Sequence, residues 1–305
     1  MYDVLIAGGG PAGMTAAIYA VQSGLSTLLI AGPAPGGQVA TSNLVENYPG
    51  FPLIYGADLV QKLTEHVSSA GVKTAGETVQ GVQLNGAVKT VRTESGSYEG
   101  RTVILAQGSE RRKLGVPGED RLRGRGVSYC ATCDGNFFRK KTVAVIGGGN
   151  TAAGSAAELA GVCKKVYLVT RRPALRAEAY LVKQLRGLPN VEHVAGWQVG
   201  AVEGAQKVES LLLKNSADGT EKRLPVDGVF VSVGVRPNTR LLEGVLPLAG
   251  GFVKAGEDCV TDIPGVYAAG DIRGKQLYQI VTAISDGANA AHSALLYLQA
   301  HRPGA

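Results

Sequence analysis

The stretch Tyr2-Asp3-Val4-Leu5-Ile6-Ala7-Gly8-Gly9-Gly10-Pro11-Ala12-Gly13-Met14 decides the fold. Tyr2 to Ala7 is a short apolar run of strand length, the glycines follow at once, and a helical pattern runs from Met14 to Ser23. Gly8-x-Gly10-x-x-Gly13 between a strand and a helix is the full context of a dinucleotide fingerprint. Its glycines permit the tight turn and the approach of a pyrophosphate to the helix N-terminus. An ordinary Gly-rich βα turn is the bland alternative. Ser26 to Ile30 supplies the next strand, so the unit is βαβ and its sheet is parallel.

The same reading applies a second time. Thr142 to Ile146 is a strand, Gly147-Gly148-Gly149-Asn150-Thr151-Ala152 the turn, Ala153 to Ala160 a helix and Lys165 to Thr170 the following strand. The two copies form a coarse internal repeat of nucleotide-binding units. They differ after their second strand. An enzyme that holds NAD places a carboxylate there for the ribose, but the first unit continues Ile30-Ala31-Gly32, so it need not hold NAD. The second continues Arg171, Arg172 and Arg176. Guanidinium forks match phosphate oxygens bidentately, so this end selects NADP over NAD, unless the arginines are only a solvated basic face.

Between the fingerprints, Gln80 to Ser97 alternates apolar and polar residues around Asn85-Gly86 and Ser95-Gly96, and Val199 to Val226 repeats the pattern. Each parallel unit therefore carries an antiparallel insertion. Boundaries are expected near Ser109 to Pro117 and near Gly234 to Asn238. The first half lacks a closing helix, which the small-residue segment Gln279 to Ala300 provides. The expected fold class is α/β, with two Rossmann-like domains and the second inserted into the first: residues 1–110 and 238–305 form one, residues 111–237 the other.

Composition agrees. The chain has 43 glycines in 305 residues against an average of about 7%, yet only 13 prolines and no G-X-Y period, which excludes collagen and low-complexity disorder. Hydrophobic residues make up 45%, enough for a large core. The net charge of +6 favours anionic partners in general, and no motif supports nucleic acid. No apolar run approaches the ~18 residues of a membrane span, and Val4-Leu5-Ile6 follows no basic leader, so a cytoplasmic protein is expected.

Four cysteines are too few for a disulfide scaffold, but Cys130 and Cys133 form a Cys-x-x-Cys within Tyr129-Cys130-Ala131-Thr132-Cys133-Asp134-Gly135. At a helix start the dipole lowers one thiol's pKa towards the reactive thiolate. A zinc knuckle would need two more ligands, and Cys163, Cys259 and the four histidines are isolated; no metal is expected. Asp134 either shuttles the proton of dithiol and disulfide interconversion or caps a turn.

With Gly36-Gly37-Gln38, Glu46-Asn47-Tyr48-Pro49-Gly50 and Ala268-Ala269-Gly270-Asp271 added to the two fingerprints, the arginines and Cys130-Ala131-Thr132-Cys133-Asp134, the chain resembles the low-molecular-weight, bacterial-type thioredoxin reductases over nearly its whole length. The resemblance implies FAD on the first unit, held by Gly8, Gly10, Pro11, Ala12, Gly13, Gly36, Gly37, Gln38, Asn47, Gly270 and Asp271. Tyr278, Gln279 and Ile280 are expected at the same site, where the positive N-terminal end of the tail helix would face the flavin. It implies NADPH on the second unit, held by Gly147, Gly149, Asn150, Thr151, Ala152, Arg171, Arg172 and Arg176. By the same resemblance Cys133 is the sulfur next to the flavin, Cys130 the interchange thiol and Asp134 the acid/base, and the two domains rotate on the boundary segments. Thioredoxin or a thioredoxin-like protein is the implied partner, and the enzyme a homodimer.

Three positions depart from the family's pattern. Thr170 stands in place of a histidine before the arginines, Tyr278 in place of an arginine, and Asn136 in place of an aromatic ahead of Phe137 and Phe138. Arg121, Arg123 and Arg125 are either a steering surface for an acidic partner or a solvated loop. The alternative function is a flavin disulfide reductase fed by ferredoxin or another non-pyridine donor, or one serving a peroxide-reducing partner. A dinucleotide sensor without turnover would leave Cys130-x-x-Cys133-Asp134 without a role.

Overall fold

A computed structural model describes residues 1–42 and 44–301. Its contacts divide the chain into two compact units, Met1–Glu110 with Arg236–Ala305, and Arg111–Val235. The chain leaves the first unit at Ser109–Arg111 and re-enters it at Val235–Pro237.

In the first unit the fingerprint strand, Tyr2–Ala7, lies between Thr27–Ile30 and Ser97–Leu105 and is parallel to both; Ile6 pairs with Leu29 on one side and Ile104 on the other. Lys73–Ala75 extends the parallel sheet beyond Thr27–Ile30, and Val266–Ala268 adds a parallel strand against Ser97–Leu105. Lys89–Thr93 and Val79–Gln83 join as antiparallel strands, with turns at the predicted Asn85-Gly86 and Ser95-Gly96. Both sheet faces are covered. Val4 and Ile6 pack among Met14, Ala16 and Ala290 on one side, while Leu5 packs among Leu28, Leu105 and Val266 on the other. That is why the strand reads as a continuous apolar run and not as an alternation.

The second unit repeats this plan. Thr142–Ile146 lies between Lys165–Thr170 and Gly228–Val231, with Val127–Ser128 and Val191–Ala195 outside them, all parallel. Trp197–Glu203, Ser210–Asn215 and Glu221–Pro225 form the antiparallel insertion.

Both fingerprint helices start earlier than their apolar periodicity suggests. They run Pro11–Gln22 and Asn150–Ala160, with Gly10 and Gly149 as extended N-caps. The last three residues of each glycine motif already form the first helical turn, whose backbone donors have no partner within the helix. The tail helix, Ile280–Ala300, packs on Pro11–Gln22 through Gly287, Ala290, Ala291 and Ala294. A Cβ built at Gly287 would lie 2.2 Å from the Ala12 carbonyl oxygen, so the small residues set how closely the helices approach. Among the described residues no helix is long and apolar enough to cross a membrane.

Candidate active site and nucleotide cradles

The two glycine turns are built alike. Gly8 (φ +122°) and Gly147 (φ +144°) hold backbone that other residues rarely adopt. A Cβ on Gly8 would lie 2.3 Å from the Ala106 carbonyl oxygen, and one on Gly147 2.2 Å from that of Ser232. Around Gly10 and Gly149, by contrast, a Cβ would meet nothing within 4 Å: each turn is crowded beneath and open at the helix N-terminus. Neither helix carries an acidic residue in its first turn to compete with a phosphate. A Cβ at Gly147 would also lie 3.0 Å from the Ala152 methyl, so the glycine leaves the space that Ala152 fills at the third fingerprint place.

In the first unit other predicted residues gather on this turn. The Gly36 N–H donates to the Gly9 carbonyl at 2.8 Å, which seats the Gly36-Gly37 loop beside Gly10. Gln38 donates to the Ser109 carbonyl at 2.8 Å. Asn47 donates to the Gln279 side-chain oxygen at 3.0 Å, and Gln279 caps the tail helix reciprocally with Thr282, with Ile280 next in its first turn. The Gly270 N–H donates to the buried Asp286 carboxylate at 2.9 Å. Arg273 grips the same carboxylate from two nitrogens, at 2.6 and 2.9 Å, and Lys275 Nζ reaches it at 3.2 Å and Asp271 at 3.4 Å. This network holds the Gly270-Asp271 turn. Its strong pairing raises the Arg273 pKa further above its ordinary value, the Asp286 hydrogen bonds being the chief cause.

Tyr278 packs at a tilt against Phe252 with ring centroids 5.7 Å apart, and the Lys275 ammonium lies 5.7 Å from its ring. Both amide atoms of Gln107, beside Gly8, are buried with no hydrogen-bond partner among the described residues. Buried amides are ordinarily paired, so the open turn with an unspent donor and acceptor fits a large polar ligand such as a dinucleotide.

In the second unit Cys130 and Cys133 are joined as a disulfide. Cys130 is the N-cap of the short helix Ala131–Asp134, and its Sγ accepts the Cys133 N–H at 3.1 Å. Buried Ser128 accepts the Cys130 N–H at 3.1 Å and donates to the Asp134 carboxylate at 2.6 Å, so one hydroxyl orients both the cysteine backbone and the acid. Asp134 lies inside this arrangement, its carboxylate on the Ser128 hydroxyl. Phe138 packs in the core on Gly228 and edge-on to Phe230, while Asn136 and Phe137 are exposed. On the flank, Tyr129 donates to Glu119 at 2.7 Å and lies under Arg123, and Arg121 donates to the Gly204 and Ala205 carbonyls. Burial pushes the Cys163 thiol up to about 11 and the Cys259 thiol up to about 12, so neither is a thiolate at neutral pH. No three His, Cys, Asp or Glu side chains among the described residues gather as a metal would require.

The arginine loop is tied to the second glycine turn. The Arg176 N–H donates to the Gly148 carbonyl at 2.7 Å, and Asn150 exchanges two hydrogen bonds with Glu178, at 2.8 and 2.9 Å. Arg171, Arg172 and Arg176 are exposed. Thr151 lies with Asn150 in the first turn of the adjoining helix. The sequence alone does not single out Ser128, Gln107, Asp286 or His193, whose place at the site shows only in the folded geometry.

Comparison with known proteins agrees with this chemistry. A family profile described as pyridine nucleotide-disulphide oxidoreductase matches residues 2–287. The chain is similar to thioredoxin reductase of Listeria innocua, 41% identical over 98% of this chain and 94% of that one. To thioredoxin reductase of Bacillus subtilis it is 41% identical over 98% and 95%. The crystal structure of thioredoxin reductase from Streptococcus pyogenes matches with a TM-score of 0.92 at 41% identity, over 98% of this chain and 99% of that one.

Proposed function

This chain belongs to the pyridine nucleotide-disulphide oxidoreductases, and we propose that it works as an NADPH-dependent thioredoxin-disulfide reductase. The observation that carries the reading is the Cys130–Cys133 disulfide, with Ser128 holding Asp134 beside it, in the same unit as a glycine turn bracketed by tethered arginines. FAD would be held on the first unit by the Gly8–Gly13 turn, the Gly36-Gly37-Gln38 loop, Asn47, Gly270-Asp271 and the tail-helix start at Tyr278–Ile280. NADPH would be held on the second by Gly147, Gly149, Asn150, Thr151, Ala152 and the three arginines. When bound, FAD supplies a two-electron carrier between a nicotinamide hydride and a dithiol.

The chain's own chemistry is thiol exchange. With the pair reduced, the Cys130 thiolate attacks one sulfur of the partner's disulfide, and the partner's other sulfur leaves as a thiolate. The Cys133 thiolate then attacks Cys130 Sγ, which re-forms the disulfide of this chain and releases the second partner thiolate. Two electrons pass to the partner, which takes up two protons. Asp134, fixed by Ser128, holds and hands on a proton at the departing sulfur. The Cys133 N–H aimed at Cys130 Sγ and the helix start favour negative charge on that sulfur. Thioredoxin or a thioredoxin-like protein, cytoplasmic residence and a homodimer complete the reading.

Anaerobic mixing with excess NADPH tests the donor: the oxidised flavin band is expected to bleach within the enzyme's turnover time, and an unchanged spectrum overturns the reading. Asp134→Asn is expected to slow reduction of the partner on the order of 10²-fold while leaving the bleaching rate unchanged, which stopped-flow and coupled assays separate.

A further inference from the structure

The arginine loop has a third tether, at its start. Thr170 ends the Lys165–Thr170 strand with its side chain buried, and a Cβ built at Gly148 would lie 3.5 Å from its methyl. Its hydroxyl makes two contacts, to the Arg172 carbonyl and to His193 Nε2, both at 2.8 Å. A hydroxyl has one proton, and a carbonyl accepts only, so that proton goes to Arg172. His193 Nε2 must therefore carry the hydrogen and donate to Thr170. His193 pairs with Leu168 across the two parallel strands, which puts it on the same face as Thr170, two residues further along. Desolvation against the strand holds the imidazole below its ordinary pKa. The residues thus form a one-way chain: His193 fixes the Thr170 hydroxyl, which fixes the Arg172 backbone. Arg176 and Glu178 fix the far end of the same loop on Gly148 and Asn150. Position 170, where the family pattern places a histidine, has here a hydroxyl served by an imidazole from the neighbouring strand.

We propose that His193 is a positioning residue for recognition of the nucleotide's 2′-phosphate, acting through Thr170 on the Arg171–Arg172 turn. This rests on the NADPH reading above. A purely structural histidine would affect both nucleotides equally. A residue that aims the arginines affects only the one bearing a 2′-phosphate, since NAD⁺ lacks the group they grip.

The test titrates the FAD-loaded, full-length protein with NADP⁺ and with NAD⁺ by calorimetry. His193→Leu is expected to weaken NADP⁺ roughly 5- to 10-fold, the consequence of one lost part-buried hydrogen bond, and NAD⁺ less than about twofold. His193→Gln, whose amide still donates to Thr170, is expected to stay within about twofold of wild type for both, and Thr170→Val to behave as His193→Leu. The proposal is overturned if His193→Leu leaves both affinities unchanged or lowers both alike, or if His193→Gln loses as much as leucine. If the wild-type protein itself does not prefer NADP⁺, the NADPH reading fails and this inference with it. A wild-type preference that survives His193→Leu removes the inference alone.

Discussion

Cys130→Ser protein loaded with FAD is expected to bleach with NADPH at the wild-type rate and to reduce a thioredoxin-like disulfide at least about 10³-fold more slowly. The two halves of the outcome follow from the separation of the proposed nucleotide-binding residues from the thiol pair. The residues proposed for nucleotide recognition, the glycine turns and the Arg171–Glu178 loop, make no hydrogen bond to Cys130. Attack on the partner needs a thiolate at position 130, and a serine hydroxyl at neutral pH supplies almost no anion. The oxygen would retain the N-cap role and the Cys133 N–H, so the fold around it has no reason to change. Cys133→Ser discriminates between the two sulfurs. With Cys130 free and no neighbour to resolve it, a mixed disulfide with the partner is expected to accumulate, visible as a shifted band on non-reducing electrophoresis. Turnover of Cys130→Ser above a few per cent of wild type, or a trapped adduct with Cys130→Ser and none with Cys133→Ser, would reverse the assignment of the two thiols.

Much of this architecture was legible because its signals are local. Gly8-x-Gly10-x-x-Gly13 and Gly147-x-Gly149-x-x-Ala152 are each read within one strand and one helix start, and the turns at Asn85-Gly86 and Ser95-Gly96 occur where the residues place them. Arg171, Arg172 and Arg176 were visible as a cluster just after a strand. What stayed hidden depends on distance in sequence or on buried geometry. Ser128 is an unremarkable serine until its hydroxyl is seen between the Cys130 N–H and Asp134. His193, an isolated histidine in sequence, reaches Thr170 only because two parallel strands set the register. Phe137 and Phe138 are indistinguishable in sequence, but the Phe138 ring is in the core against Phe230, which leaves Phe137 as the exposed aromatic of the pair. Helix starts were read late for a physical reason too. The first turn of a fingerprint helix faces the ligand with its backbone, and its small residues show no apolar periodicity.

The largest stability effect is expected at a residue that touches no predicted ligand. Asp286 is 3% exposed and gathers the Arg273 guanidinium, the Lys275 ammonium and the Gly270 N–H on one carboxylate. A buried cluster of this kind is weak evidence of net stabilisation, because desolvation of the ions offsets their attraction. Removal of one member is another matter. Asp286→Leu leaves Arg273 buried without its carboxylate and Lys275 with Asp271 as its one remaining carboxylate, and the Gly270 N–H loses its acceptor. Breaking a buried pair from one side costs about 3–5 kcal/mol. For a unit of this size, a melting temperature lower by about 10 °C follows. The Gly270 turn (φ +78°) would loosen with it, so faster release of FAD on dilution should accompany the lower Tm. The double variant Arg273→Met with Asp286→Leu removes the stranded guanidinium and is expected to recover part of the loss, since two apolar side chains replace a broken ion pair. Scanning calorimetry and flavin fluorescence on the purified holoprotein measure both effects. A Tm for Asp286→Leu within about 2 °C of wild type would show that the carboxylate is not what holds the Gly270-Asp271 turn in place.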